Sequence, residues 1–168
     1  PDTKRDRPAF LVPPGVKNLA LGKSVTSSEP NPIMGRLDMI VDGDKDAAEG
    51  SVVDLGPFAQ WVQIDLEDAY ELYAIVVWHF HQMARVYYDV VVQISDDPDF
   101  ITNVTTLFNN DYDNSLGLGV GQDRHYIDRA EGKLINAKGL KARYIRLYSQ
   151  GNNQNETSHY IEVEVYGK

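Results

Sequence analysis

The sequence predicts an all-β domain, an antiparallel β-sandwich or jelly roll. About eight short runs are rich in Val, Ile and Tyr, with turn residues roughly every ten positions. No segment shows the period of an amphipathic helix. At 168 residues the chain has the length of one domain. It is long enough to bury roughly two-thirds of the surface of the unfolded chain, so no second domain is required.

The elements follow in order along the chain. Residues 1–16 carry four prolines and several charges, which predicts a linker or an edge segment. The folded domain is expected to span residues 17–168, beginning with short strands in NLALGKSVTSS. In QWVQIDLED, alternation with period two places Val62, Ile64 and Leu66 on one face. The remaining predicted strands are LYAIVVW, VYYDVVVQIS, NVTTLF, GLKARYIRLYS and YIEVEVYG.

The stretch LYAIVVWHFHQMARVYYDVVVQIS, residues 72–95, contains the candidate ligand site. Its loop displays aromatic residues beside His and Arg donors, between two strong strands, which is typical of a binding site. Because side chains alternate along a strand, either Trp78 or His79 must point inward. We favour His81 and Arg85 as ligand donors. Trp78 fits a core position as well as a ligand contact, and His79 fits a structural hydrogen bond equally well.

Two acidic loops are candidate cation sites. Residues 42–50 carry four carboxylates around Gly43 and Gly50, and the repulsion among these carboxylates favours a bound cation. Further along, Asp111, Asp113 and Ser115 alternate like the ligands of an oxygen-rich metal loop. Solvated turns explain both runs without an ion, so both interpretations stay open.

Composition excludes several classes of function. The formal charge of -9, from 16 basic and 25 acidic residues, argues against nucleic acid or an anionic membrane as partner. No run is apolar enough to span a membrane, and we expect no signal peptide. The chain has no cysteine nucleophile, no GxSxG elbow and no HExxH helix. Because His79 and His81 lack an evident third metal ligand, we expect no catalytic activity.

Several strings, taken in order, resemble the discoidin-like or F5/8 type C domains, including bacterial modules of carbohydrate-binding family 32. They are NLALGKSVTSS, VDGDKDA, QWVQIDL, VVVQISDDPDF, ARYIRLY and YIEVEVYG. The resemblance covers about residues 17–168. It implies an eight-stranded antiparallel jelly-roll β-sandwich of the galactose-binding-domain type, with its termini close together and its ligand loops at one end.

The resemblance also implies a structural calcium ion near the termini. The ligands carried over by position are the main-chain carbonyls of Met39 and Ile161 and the carboxylates of Asp42, Asp44 and Glu162. Similar domains have Thr and Trp shortly after the Asp-Gly pair, where this chain has Ala47 and Ala48. Ser51 or a backbone carbonyl is expected to replace the missing hydroxyl ligand.

Sugar-binding members of this family use an aromatic residue, His, Arg and Asn at one site. An aromatic ring packs on the apolar side of a pyranose, and planar donors fix its hydroxyls or a carboxylate. The resemblance thus implies a ligand-binding set of Trp78, His79, His81, Arg85, Tyr87, Asn109, Asn110 and Asn152.

The expected function is that of a non-catalytic carbohydrate-binding module with a structural calcium ion. It would be a monomeric module that targets an appended enzyme or surface protein of a bacterium to a polysaccharide. The expected location is secreted, periplasmic or on the cell surface, and a polysaccharide-degrading enzyme is one expected parent protein. The expected partner is an oligosaccharide or polysaccharide, with no nucleic acid and no membrane insertion. The alternative is a protein-interaction, adhesion or spacer domain, because the fold also serves protein and phospholipid recognition. Lipid binders project apolar loops, whereas the candidate loops here are polar and acidic.

Overall fold

Antiparallel strands make up nearly all the regular structure of residues 7–168, the part of the chain that this computed structural model describes. The nine strands are β1 (Lys17–Asn18), β2 (Ser24–Ser27), β3 (Val53–Pro57), β4 (Gln60–Trp78), β5 (Val91–Ser95), β6 (Thr105–Asn109), β7 (Lys133–Ser149), β8 (Thr157–Tyr160) and β9 (Glu162–Gly167). A short 3₁₀ helix, Leu37–Val41, precedes β3. No helix in the described residues is long and apolar enough to cross a membrane.

The long strands β4 and β7 connect the two layers of the sandwich. The large sheet has the order β1-β9-β4-β7-β5-β6, and β2 pairs with β4 as well. The first part of β4 pairs with β2, and the last part pairs with β9. Between these parts the register shifts, and Glu67 has a φ of 74°. Such irregularities bend a strand, so the two ends of β4 contribute to opposite layers. A separate two-stranded sheet pairs β3 with β8.

Alternating apolar side chains fill the core between the layers. Val62, Ile64 and Leu66 of β4 are each 0% exposed, as their spacing predicts. Ile145 and Leu147 of β7 join the same cluster. On the outer face of β4 the polar side chains pair across strands, as in the ion pair between Asp65 and Arg143.

The predicted all-β antiparallel fold is confirmed, and its strands differ in detail. The segments QWVQIDLED and LYAIVVW form one continuous strand, because β4 pairs with β7 on both sides of the register shift between Asp65 and Tyr70. Strand β5 begins at Val91 and not at Val86, since Asp89 adopts a φ of 54° and residues 86–90 form a loop. Strands β3 and β8 were not predicted.

The two ends of the predicted domain are neighbours. Lys17 of β1 pairs with Gly167 of β9. Residues 7–16 contain no strand, and Phe10 and Val12 line a cavity of about 430 Å³ over Trp78. Residues 1–6 of the predicted linker lie outside the described residues, and the division at residue 16 stays a prediction.

Candidate functional site

His79, which follows β4 directly, lies in the protein interior. Its side chain is 1% exposed, and its ring stacks on Tyr87 with a centroid distance of 4.5 Å. Its Nδ1 is 3.2 Å from Oδ1 of Asp128. Because Asp128 belongs to the loop before β7, this pair joins the loop after β4 to the loop before β7.

Tyr87 begins a second buried chain of polar contacts. Its hydroxyl lies 2.7 Å from Nδ1 of His159, and Nε2 of His159 lies 2.9 Å from Oγ1 of Thr157. Asp54 is also near, with Oδ2 3.4 Å from Nε2 of His159. Burial raises the pKa of the Tyr87 hydroxyl. Burial also lowers the pKa of His159, against the opposing effect of Asp54. The neutral forms of both side chains are thus favoured. These polar contacts connect the loop between β4 and β5 to strands β3 and β8.

The two favoured donors, His81 and Arg85, contact neighbouring loop residues. Nε2 of His81, which is half-buried, lies 2.8 Å from the carbonyl oxygen of Lys45. Lys45 belongs to the acidic stretch of residues 42–50, which we call the acidic loop from here on. Arg85 is 8% exposed, and its guanidinium lies 4.9 Å from the ring of Phe80. Its Nε and Nη1 have no hydrogen-bond partner among the described residues. Part of the donor capacity of Arg85 is therefore unused.

Trp78 belongs to a buried cluster different from that of His79. It packs with Ile161 in the smaller apolar cluster, and its Nε1 donates to the carbonyl oxygen of Ala130 at 2.8 Å. Gly132 lies so close that a Cβ on it would be 2.6 Å from Cε2 of the Trp78 ring. The side chains of Trp78 and His79 therefore pack in different clusters, as expected for adjacent residues whose side chains point to opposite faces of a strand.

The three predicted asparagines stabilise loops. Asn109 accepts a hydrogen bond from the backbone nitrogen two residues ahead of it. Asn110 accepts one from the backbone nitrogen of Val90 at 2.7 Å, and Asn152 donates to the carbonyl oxygen of Thr157 at 3.0 Å. The Nδ2 atom of Asn110 has no partner among the described residues.

The predicted ligand residues do not form one exposed patch. Seven of the eight are buried, with His81 the exception: Trp78, His79, Arg85, Tyr87, Asn109, Asn110 and Asn152.

An open groove lies beside this buried cluster, and its exposed residues were not in the predicted set. Tyr88 and Tyr112 are 40% and 48% exposed, and His125 makes edge contacts with both rings at centroid distances of 5.7 and 5.1 Å. Asn110 and Gln150 also line this cavity of about 500 Å³. Nδ2 of Asn110 and Oε1 of Gln150 are both buried without a partner in the described part of the chain. We call this the aromatic groove.

The aromatic groove continues into a second cavity of about 390 Å³. Tyr88 and Gln150 line both cavities, and Asn152 and Phe58 line the second. Phe58 is 76% exposed. Exposed aromatic side chains and amides thus lie together along one side of the loops.

Sequence reasoning missed most of this groove for a clear reason. Tyr88 stood beside the predicted site, and its alternation with Tyr87 was the one available signal that it points outward. Tyr112 and His125 lie in the long Asn-, Asp- and Gly-rich segment between β6 and β7, where no period fixes the direction of a side chain.

A cluster of three carboxylates lies at the edge of the groove. Single oxygens of Asp89, Asp111 and Asp113 all lie within 4.8 Å of one another, close enough to hold a metal ion. Burial raises the pKa of Asp89, and the charges of Asp111 and Asp113 raise it further. Ser115 donates to Asp89 at 3.0 Å and to Asp111 at 3.2 Å.

The carboxylates of the predicted calcium site are joined by hydrogen bonds. Oε2 of Glu162 accepts from the backbone nitrogen of Gly43 at 2.7 Å, and Ser51 donates to Asp44 at 2.9 Å. Oε1 of Glu162 is buried and has no hydrogen-bond partner within the described part of the chain. Burial raises the pKa of Glu162 to about 8, with a further contribution from Asp42. An unpaired buried carboxylate oxygen beside other carboxylates fits a cation, although these oxygens are more widely spaced than those of Asp89, Asp111 and Asp113.

The two main-chain ligands predicted for calcium flank this arrangement in sequence. Met39 lies in the 3₁₀ helix just before the acidic loop, and Ile161 lies between β8 and β9, directly before Glu162. The backbone nitrogen of Ile161 donates to the carbonyl oxygen of Trp78 at 2.8 Å.

Comparison with known families gives one match. The family model described as a NedA-like, galactose-binding domain, of the F5/8 type C group, matches residues 39–147. No protein of curated function matches the chain.

Similar solved structures share the fold. A fucose binding module of Streptococcus pneumoniae, SpX-3, has 23% identity and a TM-score of 0.62, covering 90% of this chain and 98% of that chain. The CBM32 of AlyQ, in complex with 4,5-unsaturated mannuronic acid, has 16% identity and a TM-score of 0.62, covering 84% and 92%. A family 89 glycoside hydrolase from Clostridium perfringens has 19% identity and a TM-score of 0.65, covering 90% of this chain. The chain spans only 14% of the length of that hydrolase.

Proposed function

Because the chain belongs to the F5/8 type C family of galactose-binding-like domains, we propose that it is a non-catalytic carbohydrate-binding module whose ligand lies in the aromatic groove. One observation carries the proposal. Two exposed tyrosines, Tyr88 and Tyr112, flank a cavity that is also lined by an amide with an unpaired donor, Asn110, and an amide with an unpaired acceptor, Gln150.

A sugar fits two exposed aromatic rings beside an unpaired amide donor and an unpaired amide acceptor better than an ion or an apolar ligand does. Aromatic rings pack on the apolar side of a pyranose. A sugar hydroxyl both donates and accepts, so hydroxyls on one ring can pair with Nδ2 of Asn110 and with Oε1 of Gln150. Leaving such buried groups unpaired is costly, which gives the ligand a source of binding free energy.

The charge of the groove favours a neutral ligand. Asp89 and Asp113 line it, and the chain as a whole carries a formal charge of -9. A sugar that carries a carboxylate would be repelled by these residues.

The predicted ligand residues take two roles in this proposal. Asn110 and Asn152 line the continuous groove and bind the sugar. The other six position the loops through the contacts given above: Trp78, His79, His81, Arg85, Tyr87 and Asn109.

We also propose a structural calcium ion bound by Asp42, Asp44 and Glu162, with the main-chain carbonyls of Met39 and Ile161. The unpaired Oε1 atom of Glu162 supports this assignment. When bound, the ion neutralises the acidic loop and joins it to the start of β9. The cluster of Asp89, Asp111 and Asp113 is the alternative place for a metal ion.

The role in the cell follows from the same family relationship. We propose that the chain targets a secreted, periplasmic or surface protein of a bacterium to a polysaccharide. Its likeness to a segment of a much longer glycoside hydrolase supports the role of an accessory module.

Calorimetric titration of the protein with neutral, amine-bearing and uronate oligosaccharides, in the presence of calcium, tests the function. We expect at least one neutral sugar to bind, and the Tyr112→Ala variant to bind it about tenfold more weakly, a loss of about 1.4 kcal/mol. Tyr73→Ala is the matched control, because Tyr73 lies on β4 and its hydroxyl pairs with the exposed Glu71. If none of the sugars binds, the module contacts protein or acts as a spacer, and the proposal fails.

A further inference from the structure

The aromatic groove is joined to a third cavity by His125. This cavity has a volume of about 410 Å³ and is formed by the loop of residues 125–133, which leads into β7. His125 lines both this cavity and the aromatic groove. Asp128 and Glu131 line it together with Arg129 and Lys133, and we call it the acidic cavity after the two carboxylates.

Three oxygen atoms of residues that line the acidic cavity are buried without a hydrogen-bond partner in residues 7–168. They are the hydroxyl of Tyr126, Oδ2 of Asp128 and Oε2 of Glu131. Nearly all buried polar atoms in folded proteins have a partner, so three unpaired oxygens around one cavity are unusual. Asp128 is 4% exposed, and its other oxygen already contacts His79. The two carboxylate oxygens therefore lack hydrogen-bond donors, and the Tyr126 hydroxyl, which can donate or accept, is unpaired as well.

Nearby cations of the chain do not supply those donors. Lys133 lies over the ring of Tyr126, with Nζ 5.1 Å from the centroid. Within residues 7–168, no lysine or arginine nitrogen pairs with the carboxylate of Asp128 or Glu131. The carboxylate oxygens also do not meet in a compact group of metal ligands within that range. A ligand with several spaced donors fits better than a bare metal ion.

We propose that the acidic cavity is a further subsite for the same ligand chain, and that it takes a sugar unit carrying hydroxyl or ammonium donors and rejects one carrying a carboxylate. This inference rests on the proposed function of the aromatic groove. A ligand that occupies both cavities is a chain of linked units, so the module would bind an oligosaccharide segment and not only a single terminal sugar.

A series of oligosaccharides of increasing length tests the subsite. We expect affinity for neutral or amine-bearing chains to rise about tenfold beyond the length that fills the aromatic groove, as an added set of hydrogen bonds would give. The Glu131→Ala variant should lose this gain and keep the affinity for the short ligand, which also shows that it is folded. The control is Glu71→Gln, which changes an exposed carboxylate on β4 and not in the loop that forms the acidic cavity.

The Glu131→Gln variant distinguishes the two donor types. An amide oxygen still accepts from a hydroxyl, so the gain with length persists for a neutral chain. It is lost for an amine-bearing chain, which needs the negative charge. Equal affinity for short and long chains would overturn the subsite, as would an equal effect of Glu131→Ala on both lengths or equally tight binding of uronate chains. If the wild-type protein binds no carbohydrate, the proposed function itself fails.

Discussion

The carboxylate of Glu162 accepts a hydrogen bond of 2.7 Å from the backbone nitrogen of Gly43, although 119 positions separate the two residues. This contact joins the acidic loop to the first residue of β9. Because the other oxygen of Glu162 is buried and unpaired among the residues that the structure describes, the contact marks a place where a cation would stabilise the fold.

Calcium should stabilise the wild-type protein through Glu162. A ligand that binds only the folded state at about a hundred times its Kd adds about 2.7 kcal/mol. For a chain of this size, that corresponds to a rise of roughly 5 to 10 °C in the melting temperature. Calorimetry with chelator and with excess calcium measures the rise, and Glu162→Gln should abolish it. Asp113→Asn is the control: if that variant loses the calcium effect and Glu162→Gln keeps it, the ion binds at the edge of the aromatic groove.

The stability of the calcium-free protein should depend on the ionisation of Glu162. Its pKa rises from 4.5 to about 8 on folding, because burial favours the protonated form. The folded state then gains stability from this proton below pH about 4.5, and that gain is lost as the pH rises to about 8. Urea denaturation in chelator, from pH 5 to 8, should show a smaller decline for Glu162→Gln than for the wild type. Parallel declines would show that Glu162 is ionised already in the folded protein.

Tyr87→Phe should destabilise the fold and leave sugar binding unchanged. The substitution removes the hydroxyl next to Nδ1 of His159 and leaves that buried nitrogen unpaired. The expected loss is about 1 to 3 kcal/mol in urea denaturation. Tyr73→Phe, which removes an exposed hydroxyl, should change stability by no more than about 0.5 kcal/mol. A large loss of sugar affinity in Tyr87→Phe would instead place this hydroxyl at the ligand.

Gly132→Ala should destabilise the protein more than Gly117→Ala does. Both glycines have a positive φ, 73° and 74° respectively, so both variants incur the same type of backbone strain. Only at Gly132 would the new methyl group meet the Trp78 ring, at 2.6 Å, whereas nothing lies within 4 Å at Gly117. We expect the difference between the two variants to be about 1 to 3 kcal/mol, the cost of overpacking. Equal effects would mean that the ring of Trp78 moves freely.

The strands in which apolar and polar residues alternate could be predicted from the sequence, because this alternation indicates which side chains are buried. Val62, Ile64 and Leu66 show this clearly. Strands β3 and β8 escaped prediction since Gly56 and Pro57 interrupt the first, and β8 follows a polar loop without an apolar period. Those two strands carry His159 and its neighbours Thr157 and Asp54, so the buried polar contacts of Tyr87 could not be predicted.

The aromatic groove could not be predicted from local sequence patterns, because it is formed by contacts between residues that are distant in the sequence. Asn110 was predicted from its residue type, but its unpaired Nδ2 follows from a contact with Val90 across a loop. Tyr112 and His125 come together only through the path of the segment between β6 and β7. No single-sequence pattern encodes that path, because glycines and short polar residues allow many backbone conformations.

A sugar bound in the aromatic groove should change the side-chain amide signals of Asn110 and Gln150. In a nitrogen-15 NMR titration with the sugar identified by calorimetry, we predict that both signals shift and saturate with the calorimetric Kd. The indole signal of Trp78, whose Nε1 is bonded to the carbonyl of Ala130, should stay in place. A saturating shift of the Trp78 signal, with the Asn110 and Gln150 signals unchanged, would place the sugar outside the aromatic groove.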